Sequence, residues 1–276
     1  MKLKDYLGII IFLIIFASNF IKTSEQNSVD SEITAQVNQS LLNNNTADNQ
    51  NTIQDGFVKV IDQPGRFTQQ KLQTVTNNKS GKDYTYTWKW GSKDETATTA
   101  SALGLDDLHH FANSYLIGYM PFYTEKNWVP LYVLASRKIY QLDHLQYSGI
   151  TDIWQNSAQA FKQTRGDCED HAIALADWLI NLGMDAQVVL GKYKNEGHAW
   201  VIVFKEGKEY LLEATGKRKS KRWSQYSLAG TQTDYHPKYR FNRDNFWINT
   251  GSEYTVKYSG SNWKKTSTFY KEQLSI

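Results

Sequence analysis

Hydrophobic and polar positions divide the chain into three regimes. Residues 6–16 form an almost unbroken apolar run behind a short segment carrying Lys2 and Lys4. A charged leader before a hydrophobic stretch is the pattern of an export signal, and the apolar run to Ile21 is also near the length of a membrane anchor. Residues 1–21 are therefore either a signal peptide or a retained anchor, and the protein is expected to be exported: periplasmic, membrane-anchored or extracellular. Residues 22–56 are rich in Asn, Gln, Ser and Thr without apolar periodicity, which predicts a disordered linker. From residue 57 to 276 apolar residues become frequent and periodic, enough for one sizeable folded domain.

Within that domain, residues 57–61 and 84–90 alternate as strands do and predict a small β region ahead of the core. Residues 106–119 and 129–145 read as helices. Ala172, Leu175, Ala176, Leu179 and Leu182 recur on one helical face, and Gly183 follows as a helix stop. Three apolar runs come next, at 186–190, 198–204 and 209–213, the last two forming a hairpin. A two-residue loop at Glu206-Gly207 sets Lys205 opposite Lys208. The same register sets His198 opposite Thr215, with Glu213 as its diagonal neighbour on that sheet face. Residues 223–247 are rich in aromatics and are expected to pack over the sheet or rim a cleft. Residues 253–258 and 263–269 predict a closing hairpin.

Composition narrows the function classes. The chain is 40% hydrophobic and 14% aromatic, consistent with a globular domain, and its net charge of +3 is too small to argue for nucleic acid. The one basic run, residues 217–222, reads as a solvated loop or as part of a cleft rim. Asp106, Asp107, His109 and His110 match no recognised metal-ligand spacing and read as a helix start with surface histidines. A single cysteine, Cys168, excludes an intramolecular disulfide.

Cys168 sits where the helix begins. Gly166 supplies backbone freedom, Asp167 is a good N-cap, and Asp170 completes a capping-box-like pair. A thiol in the first turn meets free backbone N–H groups and the positive end of the helix dipole, both of which favour thiolate, whereas Asp167, Glu169 and Asp170 oppose it. Cys168 as nucleophile, His198 as base and Glu213 as the carboxylate that orients His198 form the arrangement that thiol catalysis requires. Residue types alone equally describe a buried thiol, a strand-end histidine and a solvated glutamate.

Gly166-Asp167-Cys168-Glu169-Asp170 before a helix, then His198-Ala199-Trp200-Val201, then Tyr210-Leu211-Leu212-Glu213-Ala214-Thr215, resembles the transglutaminase-like superfamily core, in particular its bacterial cysteine proteinases. The motif core would cover about residues 107–215 of the 57–276 domain. The resemblance implies an α+β, papain-like or transglutaminase-like core with the cysteine helix packed on an antiparallel β-sheet. It implies thiol chemistry on a peptide or amide bond of a protein or peptide substrate, through a thioester or acyl-enzyme; some members lack activity and only bind. Two positions depart from the pattern: the family's third catalytic residue is usually Asp where this chain has Glu213, and His171 stands where an aromatic is expected. A surface position on the helix is the expectation for His171. An oxyanion hole would use the Cys168 N–H with a second donor from Trp154, Gln155 or Gln163. No cofactor is required, and Asp167, Glu169 and Asp170 are the candidate ligands if the chain, like some relatives, takes Ca²⁺.

Overall fold

The computed structural model describes residues 26–42, 52–78, 83–89, 97–216 and 219–272. The chain divides into two units, Met1–Thr46 and Ala47–Ile276. In the first, α1 (residues 26–42) is helical, with Ile33, Val37 and Ser40 buried on one face. This corrects the expectation of a disordered linker from residue 22: a sparse i, i+4, i+7 pattern is hidden among the Asn and Gln residues. The expected signal or anchor, residues 1–21, lies outside the described residues. Among the described residues no helix is long and apolar enough to cross a membrane.

The second unit is α+β. In chain order it runs β1 (Gly56–Val60), β2 (Phe67–Thr68), α2 (Gln69–Asn77), β3 (Tyr86–Lys89), β4 (Ala97–Gly104), β5 (His109–Phe111) and α3 (Val129–Arg137). Next come β6 (Ile139–Tyr140), α4 (Asp143–Gln146), β7 (Ile153–Trp154), α5 (Ser157–Lys162), β8 (Arg165–Gly166) and α6 (Cys168–Asn181). The chain closes with β9 (Asp185–Tyr193), β10 (Glu196–Lys205), β11 (Lys208–Leu212), β12 (Ser227–Leu228), β13 (Tyr235–Phe241), β14 (Asn245–Asn249) and β15 (Trp263–Lys271).

Nine strands form one sheet in the order β12-β11-β10-β9-β13-β14-β15-β1-β2, and every described pairing in it is antiparallel. The β10–β11 hairpin has the expected register, Lys205 opposite Lys208 through Val201 opposite Leu212. Its loop residues Glu206 and Gly207 both have positive φ (52° and 71°), the backbone of a turn whose twist matches the strands. Helix α6 lies against β9 and β10. Its residues from Cys168 to Leu179 are all buried, so the single apolar face read from the sequence is part of a helix enclosed on every side.

Several long-range placements differ from the sequence reading. β1 joins the main sheet by pairing with the C-terminal strand β15, Gly56 lying opposite Lys271 and Val60 opposite Ser267, and only β3 belongs to a separate sheet with β4, β5 and β7. Residues 106–119, expected helical, hold β5 and a 3-10 turn at Ala112–Tyr115. His109 and His110 are buried there rather than exposed, with His110 Nε2 2.9 Å from Asp106 and its Nδ1 3.3 Å from Gln69 Nε2. The helix expected at 129–145 ends at Arg137 because Lys138 turns its amine inward, where it donates to the carbonyls of Ala160 (2.6 Å) and Gln163 (2.7 Å). The closing partner of β15 is β14, not residues 253–258, and the aromatic stretch enters the sheet as β13 and β14.

Candidate active site

The start of α6 is built by local sequence and a close approach. Asp167 is the N-cap in extended backbone, and its N–H donates to Asp170 Oδ2 at 3.3 Å. Asp170 Oδ1 takes the Gln155 N–H at 2.7 Å, tying the helix start to the segment after β7. Gly166 is required by space rather than by φ: a Cβ there would lie 2.5 Å from Asp170 Oδ2. At the far end, Gly183 (φ 78°) donates to Ile180 O and Met184 N–H to Leu179 O, a Schellman closure. Asp177 in the middle of α6 is fully buried and accepts from the Gly118 and Tyr119 N–H groups, Ser157 Oγ and Arg243.

Cys168 and His198 face one cavity of about 930 Å³, which Asp152, Trp154, Asp167, Glu169 and Tyr140 also line. His198 Nε2 is 2.8 Å from Glu213 Oε2, so the sequence-predicted diagonal pair is formed. Nε2–H donated to the carboxylate leaves Nδ1 as the nitrogen able to receive a proton. Glu213 Oε1 accepts from Thr215 N–H at 3.1 Å and Thr215 Oγ1 at 2.6 Å, and Tyr235 donates to Oε2 at 3.0 Å. Burial alone would raise the Glu213 carboxyl, but the His198 and Thr215 hydrogen bonds hold it below its ordinary value. The glutamate is therefore ionised and oriented.

The thiol is less primed than the helix start suggests. Burial first, then the Asp167 charge, pushes the Cys168 thiol up to about 12, against hydrogen bonds from Glu169 and the Ala199 N–H that favour thiolate. Its Sγ lies 3.3 Å from Glu169 Oε2. Asp167, Glu169 and Asp170 are joined by two carboxylates that sequence spacing did not connect to them, Asp143 and Asp152. Burial raises all five, repulsion from neighbouring carboxylates adds to it at Asp143, Asp152, Glu169 and Asp170, and Asp143 is pushed up to about 8. Ligand atoms of Asp167, Cys168 and Glu169, of Asp143, Asp167 and Asp170, and of Asp143, Asp152 and Glu169 lie within 4.8 Å of one another in each group. Asp143 Oδ1 and Asp167 Oδ1 are buried without a hydrogen-bond partner.

Other predicted residues are placed differently. His171 is fully buried and edge-on to Tyr140, not on the surface, because α6 is covered on the side that carries it. Trp154 lines the cavity, but its indole N–H is donated to Asp152 at 2.9 Å. Gln155 gives its side-chain amide to Tyr147 and the Arg165 carbonyl, so that amide does not serve Cys168 in this arrangement, and the Gln163 side-chain oxygen accepts from Gln146. Of the basic run, residues 217 and 218 lie outside the described residues. Tyr235 and Asp143 carried no sequence signal as site residues, since only the fold brings them to the site, whereas Thr215 was already placed opposite His198 by the hairpin register.

Comparison with known proteins gives a family match, over the region that holds the three residues predicted for thiol catalysis. Residues 152–271, which contain Cys168, His198 and Glu213, match the family described as CEP76 peptidase-like domain. Protein CC2D2B of Homo sapiens is 39% identical over 62 residues, 22% of this chain and 4% of that protein. Centrosomal protein of 76 kDa of Danio rerio is 42% identical over 50 residues, 18% of this chain and 8% of that protein. The chain thus spans under a tenth of the length of these curated relatives. Among solved structures, Legionella pneumophila LapG, with a further structure described as calcium-bound, is 20% identical with a TM-score of 0.36, covering 45% of this chain and 70% of that one.

Proposed function

We propose that this protein is an exported cysteine-dependent hydrolase with a papain-like or transglutaminase-like core, acting on a peptide or amide bond through an acyl-enzyme on Cys168. One observation carries the reading: Cys168 and His198 share a cavity, and His198 is held through Nε2 by an ionised Glu213 at 2.8 Å. In this mechanism Cys168 Sγ attacks the scissile carbonyl carbon while its proton passes to His198 Nδ1. The imidazolium, stabilised by Glu213, then protonates the departing amine, and water hydrolyses the thioester with His198 as base. The Cys168 N–H at the helix start supplies one oxyanion donor.

A divalent cation of oxygen preference fits the acidic cluster, because it would satisfy the unpartnered Asp143 and Asp167 oxygens and offset the repulsion among the carboxylates. Asp143, Asp167 and Asp170 would hold it. Its charge would favour thiolate at Cys168.

The raised thiol favours a second reading, a non-catalytic binding module that keeps this core as a scaffold. Alkylation of Cys168 against pH, in the wild type and in His198→Ala, separates the two. A hydrolase gives alkylation already fast near neutral pH that falls in the variant, and Cys168→Ala abolishes turnover with little change in melting temperature. Identical profiles in both proteins, rising only in the alkaline range, would favour the binding module; turnover by Cys168→Ala would sink the hydrolase.

A further inference from the structure

The third member of the site carries one more rotatable bond than an aspartate would, and the fold supplies a partner that restrains it. Strand β13 reaches the site because β9 has Gly191 where the two strands meet: a Cβ there would lie 2.3 Å from the His236 carbonyl, 2.8 Å from the Trp200 ring and 2.9 Å from Pro237 Cα. The same Gly191 is the cross-strand partner of His198 on the other side of β9. This approach sets Tyr235 opposite Tyr193, with ring centroids 4.7 Å apart, and edge-on to Trp200 at 5.1 Å. With its ring fixed on two aromatics, the Tyr235 hydroxyl donates to Glu213 Oε2 at 3.0 Å, the same oxygen that lies 2.8 Å from His198 Nε2.

We propose that Tyr235 is a positioning residue of this site, whose hydroxyl locks the Glu213 carboxylate toward His198. The four described bonds on Glu213, two at each oxygen, match the lone-pair sites that a carboxylate offers, so the extra methylene of glutamate has no free rotor left. Thr215 belongs to the same loop as Glu213 and moves with it; Tyr235 is anchored in the sheet and gives the carboxylate a fixed external reference. The inference rests on His198 being the base of the site, but its test requires no turnover.

The test is the imidazole titration of His198, followed by NMR in the full-length protein, with Cys168 alkylation by iodoacetamide as a second readout. The groups that face His198 are Glu213 after β11, Tyr193 from β9, Tyr235 from β13, and Asp167 and Cys168 across the cavity. Tyr235→Phe keeps the ring on Trp200 and Tyr193 and removes only the hydroxyl. If that hydroxyl positions Glu213, the imidazolium loses support, its pKa falls, and the His198-dependent part of the alkylation rate drops about tenfold, as expected for losing one hydrogen bond to a charged group. In a Glu213→Gln background the same substitution should leave the imidazole pKa where it is. An unchanged or raised imidazole pKa in Tyr235→Phe overturns the proposal, as does an equal fall in the Glu213→Gln background. A wild-type thiol that never reacts would instead count against the hydrolase, with the imidazole titration still deciding the role of Tyr235.

Discussion

Gly166→Ala is the most direct probe of how the helix start is assembled. The added Cβ would lie 2.5 Å from Asp170 Oδ2, 2.9 Å from Asp170 Cβ and 3.2 Å from Asp170 Cγ. Asp170 has no solvent-exposed surface to retreat into and is held by the Gln155 and Asp167 N–H groups. Relief by rotating the carboxylate would leave those donors unpaired, and relief by backbone shift would move Cys168. Overpacking costs about 1–3 kcal/mol and loss of a cap about 1 kcal/mol, so a total of roughly 2–4 kcal/mol is expected. For a domain of this size that is a fall of roughly 5–15 °C in melting temperature, with slower Cys168 alkylation. Gly197→Ala, with no atom within 4 Å of the new Cβ although it precedes His198, is the control and should leave both readings unchanged. In an Asp170→Ala background the Gly166→Ala penalty should shrink, because two of the three close atoms are gone. A Gly166→Ala protein with native melting temperature and native thiol reactivity would refute the close-approach account.

Three further outcomes follow from the buried charges. Asp143, pushed up to about 8 chiefly by burial, is protonated in the fold while an unfolded aspartate ionises near pH 4, so stability is lost as pH rises from about 4 through 8. Asp143→Asn should flatten that decline in a melting series, and an unchanged slope would show that Asp143 does not cause it. Millimolar CaCl₂ should raise the melting temperature of chelator-treated protein more at about pH 8 than at about pH 5, since protonated carboxylates do not ligate; no rise at either pH would rule out calcium at this cluster. Asp177→Ala removes a buried acceptor shared by Arg243, Ser157 and two backbone N–H groups, and should cost about 3–5 kcal/mol in denaturant unfolding; a loss under 1 kcal/mol would show that the contacts are dispensable.

What was legible in the sequence was local. The α6 boundaries follow from Asp167, Asp170 and Gly183, and the hairpin register from Glu206-Gly207, because each is fixed within a few residues of chain. Through that register the His198–Glu213 pair was legible too. Elements decided by distant partners were not. β4 is mostly Ala, Thr and Ser, with Leu103 and Gly104 at its end and every residue buried, a composition that gives no strand period, and β1 finds its place only when β15 arrives. His109 and His110 looked like surface residues of a helix start until β4 paired with β5 and buried them.

The thiol shows how burial reverses a local inference. A helix N-terminus favours an anion by about 0.3–1 kcal/mol, and up to about 2 kcal/mol when partly buried. A thiol moved from its ordinary range to about 12 disfavours thiolate by about 4 kcal/mol at neutral pH beyond the usual cost. The dipole at Asp167-Cys168 therefore does not suffice, and the thiolate must be stabilised from outside α6. Two devices are at hand. One is the imidazole of His198, whose charged form Glu213 supports from the far side of the ring. The other is the acidic pocket itself, where a bound cation would turn Asp167 from an opposing charge into a ligand. The residues that raise the barrier to thiolate are thus the ones through which a bound cation would lower it, so in the proposed hydrolase reactivity at Cys168 would respond to occupancy of that pocket. Glu213, which is in none of the carboxylate groups that could hold the cation, would support the His198 imidazolium in either state.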